Sequence, residues 1–174
     1  MLMLRDDKVI LRAVEPEDLE LMYLLENDEG LWDTSSTTVP YSAHLLKEYI
    51  KECSCNFYKD GAVRLSIALP SGIAVGFIDL QNYDPQHQRA EVGIVVMREF
   101  HRMGLARHSL LIMGEYAKDV LHLHQLYAYV QSDNVAARHL FHAAGYTESG
   151  LLKHWTHCMM GWKDTAVYQL LLDE

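Results

Sequence analysis

Residues 89–111, RAEVGIVVMREFHRMGLARHSLL, contain the pattern that decides the fold. The apolar run at 90–96 predicts a strand, and helical spacing over 105–120 predicts a helix. The loop between them contains Arg102 and Gly104, part of a local basic cluster in an acidic chain. A helix N-terminus offers unpaired N–H groups to an anion and glycine allows close approach, so this loop is a candidate phosphate-binding site. On this pattern alone, an ordinary strand-to-helix turn explains the loop equally well.

The composition excludes several classes of protein. The chain has 174 residues, 24 acidic against 15 basic side chains, a formal net charge of −9, and 49% hydrophobic residues. This length predicts one domain over residues 1–174 that buries a sizeable core. The negative charge disfavours nucleic acid and anionic membranes as partners, and no apolar stretch reaches the ~18–20 residues of a membrane span. Three cysteines are too few for a disulfide framework, so we expect a reducing, cytoplasmic location.

Alternating and helical spacings divide the chain into strands and helices. Strands are predicted at residues 8–13, 63–69, 73–77, 90–96, 125–130, 147–155 and 164–172. Helices are predicted at residues 14–28, 42–53, 105–120 and 136–144. The order β-α-α-β-β-β-α-β-α-β-β indicates an α/β domain with a mixed sheet.

Details of two helices are also predicted. Ser42 is suited to cap the second helix, and Gly145 is suited to end the fourth in a left-handed conformation. Apolar residues at helical spacing predict that the second helix buries a single stripe, which is Leu45, Leu46, Tyr49, Ile50 and Cys53. Cys53 is therefore expected to fill the core and not to bind a metal.

Three blocks of the sequence resemble the GNAT acyltransferase superfamily. Its acyl-CoA-binding motif, Gln/Arg-x-x-Gly-x-Gly/Ala, is similar to His101-Arg102-Met103-Gly104-Leu105-Ala106, with histidine in the first place. Residues 132–150, SDNVAARHLFHAAGYTESG, resemble the family block Asn-x-x-Ala…Tyr-x-x-x-Gly-Phe. The third block is the tail containing Trp155, Trp162, Asp164 and Tyr168. Within the superfamily, the chain is most similar to the branch of spermidine N-acetyltransferases and ribosomal-protein N-terminal acetyltransferases.

The resemblance implies a fold and an activity. The fold is a single-domain α/β (α+β) structure with a mixed, mostly antiparallel sheet flanked by helices. The activity is transfer of an acetyl group from acetyl-CoA, as co-substrate, to a primary amine. The acceptor would be a polyamine such as spermidine, a protein N-terminus or another small amine.

The resemblance also implies which residues hold acetyl-CoA. The pantetheine arm is expected in a gap between the fourth and fifth strands, bound by the backbone of Ile94, Val95 and Val96. Loop amides are expected to hold the pyrophosphate, and these belong to His101, Arg102, Met103, Gly104, Leu105 and Ala106. Asn134 matches an asparagine that commonly meets the cofactor. Phe141 stands in the cofactor site where the family has a tyrosine that protonates the leaving thiolate.

Amide formation requires a neutral amine, and a lysine-like amine with a pKa of about 10.4 must first lose a proton. Glu91 is the candidate base, although a solvent-facing carboxylate on an alternating strand is an equal interpretation. A backbone N–H near Val95 or Val96 is the candidate oxyanion donor, by the family's geometry. Phe141 cannot donate a proton, so the thiolate either leaves without an acid or is protonated by water or by the acceptor. Asp79 aligns with an acidic position of polyamine-acetylating members and is the candidate for binding a cationic acceptor.

Other expectations remain. Three histidine pairs have spacings that could reach a metal, but no cysteine or carboxylate joins them at a characteristic interval, and we predict no metal site. We expect a homo-oligomer, a dimer or larger. The competing functional class is a noncatalytic acyl-CoA-binding module, suggested by Phe141 and His101.

Overall fold

One seven-stranded sheet forms the centre of the molecule. The computed structural model describes residues 4–34, 37–52 and 56–172. The strands are β1 (Ile10–Ala13), β2 (Val63–Ala68), β3 (Ala74–Asp84), β4 (Arg89–Val96), β5 (Gln125–Gln131), β6 (Thr147–Cys158) and β7 (Gly161–Leu171). Their spatial order is β1-β2-β3-β4-β5-β7-β6, and all neighbours are antiparallel except β4 and β5, which are parallel. The predicted mixed, mostly antiparallel sheet is confirmed.

Helices connect and cover the strands. They are α1 (Leu19–Glu26), α2 (Glu29–Trp32), α3 (Ala43–Glu52), α4 (Phe57–Asp60), α5 (Leu105–Asp119) and α6 (Val135–Ala143). The predicted order lacked α2 and α4, which are single turns begun by the side chains of Asp28 and Asn56. One turn is too short to show helical periodicity. The two predicted helix ends are confirmed. Ser42 caps α3, since its Oγ accepts a hydrogen bond from the N–H of Leu45, and Gly145 after α6 has the left-handed φ of 91°.

The two faces of the sheet have different cores. On one face, called here the α5/α6 face, a large cluster buries strand residues such as Ala90 and Ala128 with Met113 of α5 and Phe141 of α6. On the opposite α1/α3 face, a smaller cluster is built from Leu21, Met22, Leu46 and Phe77. Successive strand residues point to opposite faces, which explains how one strand serves both cores. None of the helices described here is long and apolar enough to cross a bilayer.

The predicted buried stripe of α3 is partly wrong. Leu46 is buried, but Leu45 is 52% exposed and Tyr49 is 42% exposed. The helix meets the sheet along a narrower line than its apolar residues suggest, and Tyr49 instead lies beside Arg64, whose guanidinium carbon is 5.8 Å from the ring centroid. Cys53 lies outside the described residues.

A buried ion pair ties β1 to the turn before α1. Asp18 is 3% exposed and accepts hydrogen bonds from Arg12 Nη1 at 2.7 Å, Arg12 Nη2 at 2.8 Å and Ser66 Oγ at 2.7 Å. The backbone N–H of Glu15 donates a further bond at 3.0 Å. Burial opposes ionisation of Asp18, but these hydrogen bonds prevail and lower the pKa of its carboxyl.

We expect Asp18→Asn to lower the free energy of unfolding by about 2–3 kcal/mol at pH 7, because the charge of Arg12 loses its partner. Since the folded pKa of Asp18 is lowered, its contribution is complete above the unfolded value of about 3.9 and is lost as pH falls through the folded value. Urea unfolding at pH 7 and pH 3 measures both effects, with the variant losing less stability in acid than the wild type. Equal unfolding midpoints at pH 7 would contradict this role.

Candidate active site

The parallel strands β4 and β5 separate after three residue pairs, the last of which is Glu91 with Tyr127. Beyond this point, called here the fork, β4 continues along β3 as far as Val96, and β5 continues along β7 as far as Gln131. Beyond the fork, the edges of β4 and β5 that face each other are therefore not paired with any strand in the described ranges. An extended ligand can hydrogen-bond to such an edge as an added strand.

The residues expected to bind the pantetheine arm lie beyond the fork on β4. Ile94, Val95 and Val96 follow Gly93 along this strand and are half-buried. Val95 lies opposite Phe77 and Val96 lies opposite Gly76 on β3. The placement of Ile94 and Val96 fits the expected role, while their hydrogen bonds to a ligand stay a prediction. The carbonyl of Val95 instead faces Gly76 on β3, so the backbone groups of Val95 lie on the paired side of β4.

The loop before α5 and the first turn of this helix have the conformation of an anion-binding site. Gly104 has φ of 81° and directly precedes the helix, which begins at Leu105. The first backbone bond across this end runs from the N–H of His108 to the carbonyl of Gly104. The N–H groups of the preceding first turn therefore have no partner within the helix, and the helix dipole adds positive potential at the same place. A phosphate group fits this end of α5.

The histidine that replaces glutamine or arginine in the loop has a structural partner. His101 Nε2 lies 2.8 Å from the carbonyl oxygen of Val96, so the ring donates this hydrogen bond. Arg102 follows with φ of 63°, and the exposed side chain of Met103 comes next. His101 thus fastens the loop to the end of β4 through its side chain.

Two further residues of the expected cofactor site lie on α6. Asn134 caps this helix, since its Oδ1 accepts a hydrogen bond from the N–H of Ala137 at 3.0 Å. Phe141 is buried, with its ring centroid 5.1 Å from that of Tyr146 and 6.0 Å from that of Tyr168. The capping bond leaves the amide N–H groups of Asn134 as donors, whereas Phe141 offers only apolar surface.

Glu91 lies at the fork on the α1/α3 side of β4. Its Oε2 accepts a hydrogen bond from Asn82 Nδ2 at 2.8 Å, the one side-chain bond found for this carboxylate within the described part of the chain. Tyr127 lies opposite, and its pKa is raised by burial and further by the negative charge of Glu91. Glu91 is therefore a half-buried carboxylate with an oxygen left to accept a proton.

Asp79 is already paired with a cation. Its two oxygens accept hydrogen bonds from Arg64 Nε at 2.7 Å and Nη2 at 3.0 Å, and Arg64 Nη1 donates to Glu26 at 2.5 Å. The guanidinium is largely removed from water, yet the two carboxylates raise its pKa. This network ties α1 to β2 and β3, which is a structural role. Binding of an acceptor by Asp79 stays a prediction.

A cavity of about 350 Å³ lies beside the fork, under the end of α3. We call it the acidic cavity, because Glu52, Asp60 and Asp79 line it against the single cation Arg64. Gln81, also in the lining, is the register partner of Glu91 on the neighbouring strand. Sequence reasoning missed Glu52 and Asp60, since they come from elements whose association no local pattern reveals.

Aromatic rings border the other side of the fork. Tyr127 and Tyr129 meet edge to face with centroids 5.7 Å apart, and Tyr129 stacks on Trp155 at 6.2 Å. We call these three rings the aromatic strip. Tyr129 and Trp155 are exposed, so their faces are accessible to a ligand. Aromatic faces attract ammonium groups and alkyl chains alike.

Gly76 fixes the position of β4 beyond the fork. A Cβ atom at this residue would lie 2.2 Å from the carbonyl oxygen of Val95 and 2.9 Å from the Cα of Val96. Any side chain at position 76 must therefore displace the backbone that is expected to bind pantetheine.

We expect Gly76→Ala to lower the free energy of unfolding by about 3 kcal/mol and to weaken acetyl-CoA binding, because β4 must move. Thermal unfolding with and without acetyl-CoA measures both effects. Gly150→Ala is the matched control, since a Cβ at this strand position meets nothing within 4 Å. A Gly76→Ala protein as stable as this control would contradict the expectation.

One group of side chains could hold a metal ion. In the described ranges, one trio of ligand atoms lies close together, from Asp6, Asp7 and His108, all within 4.8 Å of one another. Asp6 Oδ2 is already 2.5 Å from His108 Nδ1, so a hydrogen bond between the two side chains explains their proximity. The paired histidines of the sequence are not part of this group.

Comparisons with known proteins give one matching family and several similar acetyltransferases. Residues 8–147 match the family described as acetyltransferase (GNAT) domain. A spermidine N(1)-acetyltransferase of Escherichia coli is 28% identical over 149 residues, covering 84% of this chain and 76% of the relative. A putative ribosomal N-acetyltransferase of Bacillus subtilis is 24% identical over 173 residues, covering 97% and 94%. A solved structure of spermidine N-acetyltransferase from Vibrio cholerae, in complex with CoA and spermine, has a TM-score of 0.84 at 24% identity, covering 96% and 97% of the two chains.

Proposed function

The chain belongs to the GNAT acetyltransferase family, and we propose that it acetylates a cationic primary amine, a polyamine such as spermidine first, by direct attack on the thioester of acetyl-CoA. Family membership and the spermidine-acetylating relative support acetyl transfer to an amine. The observation that carries the proposal is the position of Glu91 at the fork, between the acidic cavity and the aromatic strip.

Acetyl-CoA supplies an acetyl group activated as a thioester. The residues of this chain fit acetyl-CoA in two places. These are the N–H groups that follow Gly104 and the edge of β4 beyond the fork, where β5 no longer pairs with it. The first turn of α5 binds the pyrophosphate, and the backbone of Ile94 and Val96 orients the arm. A backbone N–H of this segment polarises the thioester carbonyl.

Glu91 then prepares the amine. A primary amine with a pKa of about 10.4 is almost wholly protonated at neutral pH and cannot attack. Glu91 accepts that proton, directly or through water, while Asn82 holds one of its oxygens in place. The carboxylate lies at the point where β4 leaves β5, which brings base and activated acetyl group together.

The charge of the site supports a cationic acceptor. Three carboxylates and one guanidinium line the acidic cavity, so its net charge is negative even with Asp79 paired to Arg64. The aromatic strip offers further attraction to ammonium groups on the other side of the fork. The noncatalytic alternative is less well supported, because His101 has a structural role and a base lies at the fork.

Thiol release from acetyl-CoA across polyamines, peptides with a free N-terminus and amino sugars tests the acceptor class. We expect polyamines to give the highest kcat/KM, and Glu52→Gln to raise their KM roughly 5-fold with little change in kcat, because one carboxylate of the cavity is lost. Glu48→Gln is the matched control, since Glu48 lies on the same helix and pairs with Lys51. Higher kcat/KM for neutral amino sugars would contradict the cationic assignment.

Assembly and location complete the proposal. The hairpin of β6 and β7 exposes apolar side chains, namely Leu151, Met159, Met160 and Trp162. Apolar surface of this kind is usually covered by a partner, which supports a homo-oligomer, a dimer or larger, and sedimentation velocity measures this directly. The small number of cysteines supports a reducing, cytoplasmic location.

A further inference from the structure

A gap in the row of side chains on β4 lies at Gly93, on the α1/α3 face. Alternate residues of a strand share a face, so Glu91, Gly93 and Val95 point to this side of the sheet. Val95 packs against the smaller core, and Glu91 lies at the fork. A Cβ atom at Gly93 would meet nothing within 4 Å. The surface of β4 is therefore bare between Glu91 and Val95.

The backbone does not explain why this residue is glycine. Gly93 is a strand residue, and its φ lies outside the left-handed region that favours glycine. A glycine within a strand lowers stability and packs no side chain, and it often marks a place that a ligand approaches closely. Neither backbone conformation nor a close neighbour requires glycine here, whereas a ligand that crosses the strand does.

The bare surface joins two parts of the candidate active site. Asp79, which lines the acidic cavity, is the register partner of Gly93 on β3. On the other side of Gly93, β5 no longer pairs with β4, and this opening of the fork is where the thioester is expected. A molecule that lies across β4 at Gly93 therefore reaches from the cavity to the fork. A side chain at position 93 would stand roughly perpendicular to the sheet in this path.

The two carboxylates beside this path have the spacing of a diamine. Glu91 pairs with Gln81 and Gly93 pairs with Asp79, so Glu91 and Asp79 are diagonal neighbours on one face. Cα atoms in this relation lie about 7–8 Å apart. Two nitrogens joined by four carbons are about 6 Å apart in an extended chain, since each bond is about 1.5 Å long. One nitrogen can therefore lie at Glu91 while the other reaches the acidic cavity.

The charge of the cavity suits a nitrogen that keeps its proton. Three carboxylates line the cavity, and Arg64 offsets one of them by pairing with Asp79. Arg64 also pairs with Glu26, so its charge is shared with a carboxylate outside the lining. The remaining negative charge attracts an ammonium group, which binds there without reacting.

We infer that the acceptor lies across β4 over Gly93, with its reacting nitrogen beside Glu91 and a second, charged nitrogen in the acidic cavity. The inference rests on the proposed acetyl transfer and narrows its acceptor to a diamine unit, such as those within spermidine. Gly93 is a specificity-determining residue, because the lack of a side chain at this position opens the path between the cavity and the fork.

The two nitrogens have different fates in the reaction. The ammonium beside Glu91 gives one proton to this carboxylate and becomes a neutral amine. Its C–N bond to the acetyl group forms as the C–S bond breaks, and the C–S electron pair goes to sulfur. The nitrogen then loses a second proton, which passes to the thiolate directly or through water. The nitrogen in the cavity keeps its protons throughout.

The first test compares putrescine, a four-carbon diamine, with butylamine, which has the same chain and one nitrogen. We expect the wild type to show a kcat/KM at least about 10-fold higher for the diamine, because its second nitrogen is held by charged groups. Gly93→Val should reduce this ratio to nearly one by raising the KM of the diamine. Its Tm should be equal or higher, since a β-branched residue suits an uncrowded strand position.

Gly150→Val is the matched control. Gly150 also lies in a strand where a Cβ atom meets nothing within 4 Å, but its strand, β6, is at the far edge of the sheet from β4. This variant should keep the wild-type ratio. An unchanged ratio in a folded Gly93→Val protein, or a wild type that does not prefer the diamine, would overturn the inference.

A binding measurement separates this inference from the proposed function, because it needs no turnover. Putrescine is titrated by calorimetry into protein saturated with free coenzyme A. We expect the wild type to bind the diamine at least about 10-fold more tightly than Gly93→Val, while both proteins bind acetyl-CoA equally. A wild type that bound putrescine in this way but acetylated no amine would contradict the proposed function and support the binding mode. Equal affinity in the two proteins, or no binding to the wild type, would overturn the inference.

Discussion

Glu91→Gln should acetylate its amine at least about 100-fold more slowly than the wild type at neutral pH, because general-base assistance is typically worth that much. Glutamine keeps the shape of the side chain and a partner for Asn82, but it cannot take a proton. The loss should therefore appear mainly in kcat/KM for the amine, with acetyl-CoA binding and thermal stability unchanged.

The pH dependence separates the base from a structural carboxylate. As pH rises toward the pKa of the amine, about 10.4, more of the acceptor is already neutral and the rate of Glu91→Gln should approach that of the wild type. Glu48→Gln, which alters an exposed carboxylate of α3, should follow the wild type throughout. If Glu91→Gln matched the wild-type rate from pH 7 upward, another group would have to be the base.

Gly104→Val should abolish the stabilisation that acetyl-CoA gives the protein, which is about 2.7 kcal/mol for the wild type at roughly 100 times the dissociation constant. The reason is conformational, since a Cβ at Gly104 meets only His108 at 3.8 Å but the residue has φ of 81°. A β-branched residue strongly disfavours this conformation, so the loop must change and the first N–H groups of α5 lose their alignment.

A matched glycine controls for strain alone. Gly72 has φ of 92° in the turn between β2 and β3, and a Cβ there meets nothing within 4 Å. Gly72→Val should therefore lower the Tm while keeping the shift produced by acetyl-CoA. Thermal unfolding of both variants, with and without the ligand, gives the comparison. If acetyl-CoA raised the Tm of Gly104→Val as much as that of the wild type, the phosphate site would have to lie elsewhere in the protein.

The sheet was largely predictable because its strands follow simple patterns. The alternation at 63–69 and the apolar run at 90–96 give strands close to their observed bounds, and Gly104 and Gly145 mark observed helix ends. These signals act within a few residues of sequence, where side-chain period and backbone conformation decide the structure.

Features that depend on distant residues were not predictable in the same way. Arg64 pairs with Asp79 and Glu26, which lie 15 and 38 residues away, so nothing local shows that Asp79 already has a partner. The exposure of Leu45 depends on how α3 meets the sheet. The acidic cavity likewise exists only after α3, β2 and β3 have packed together.

The measurement that tests the central claim most directly is identification of the product by mass spectrometry, with released thiol quantified in the same reaction. The account predicts one acetyl group on a primary amine nitrogen of a cationic acceptor for each thiol released, and almost none with Glu91→Gln. Tight binding of acetyl-CoA without any acetylated amine, or thiol release that yields only free acetate, would contradict it.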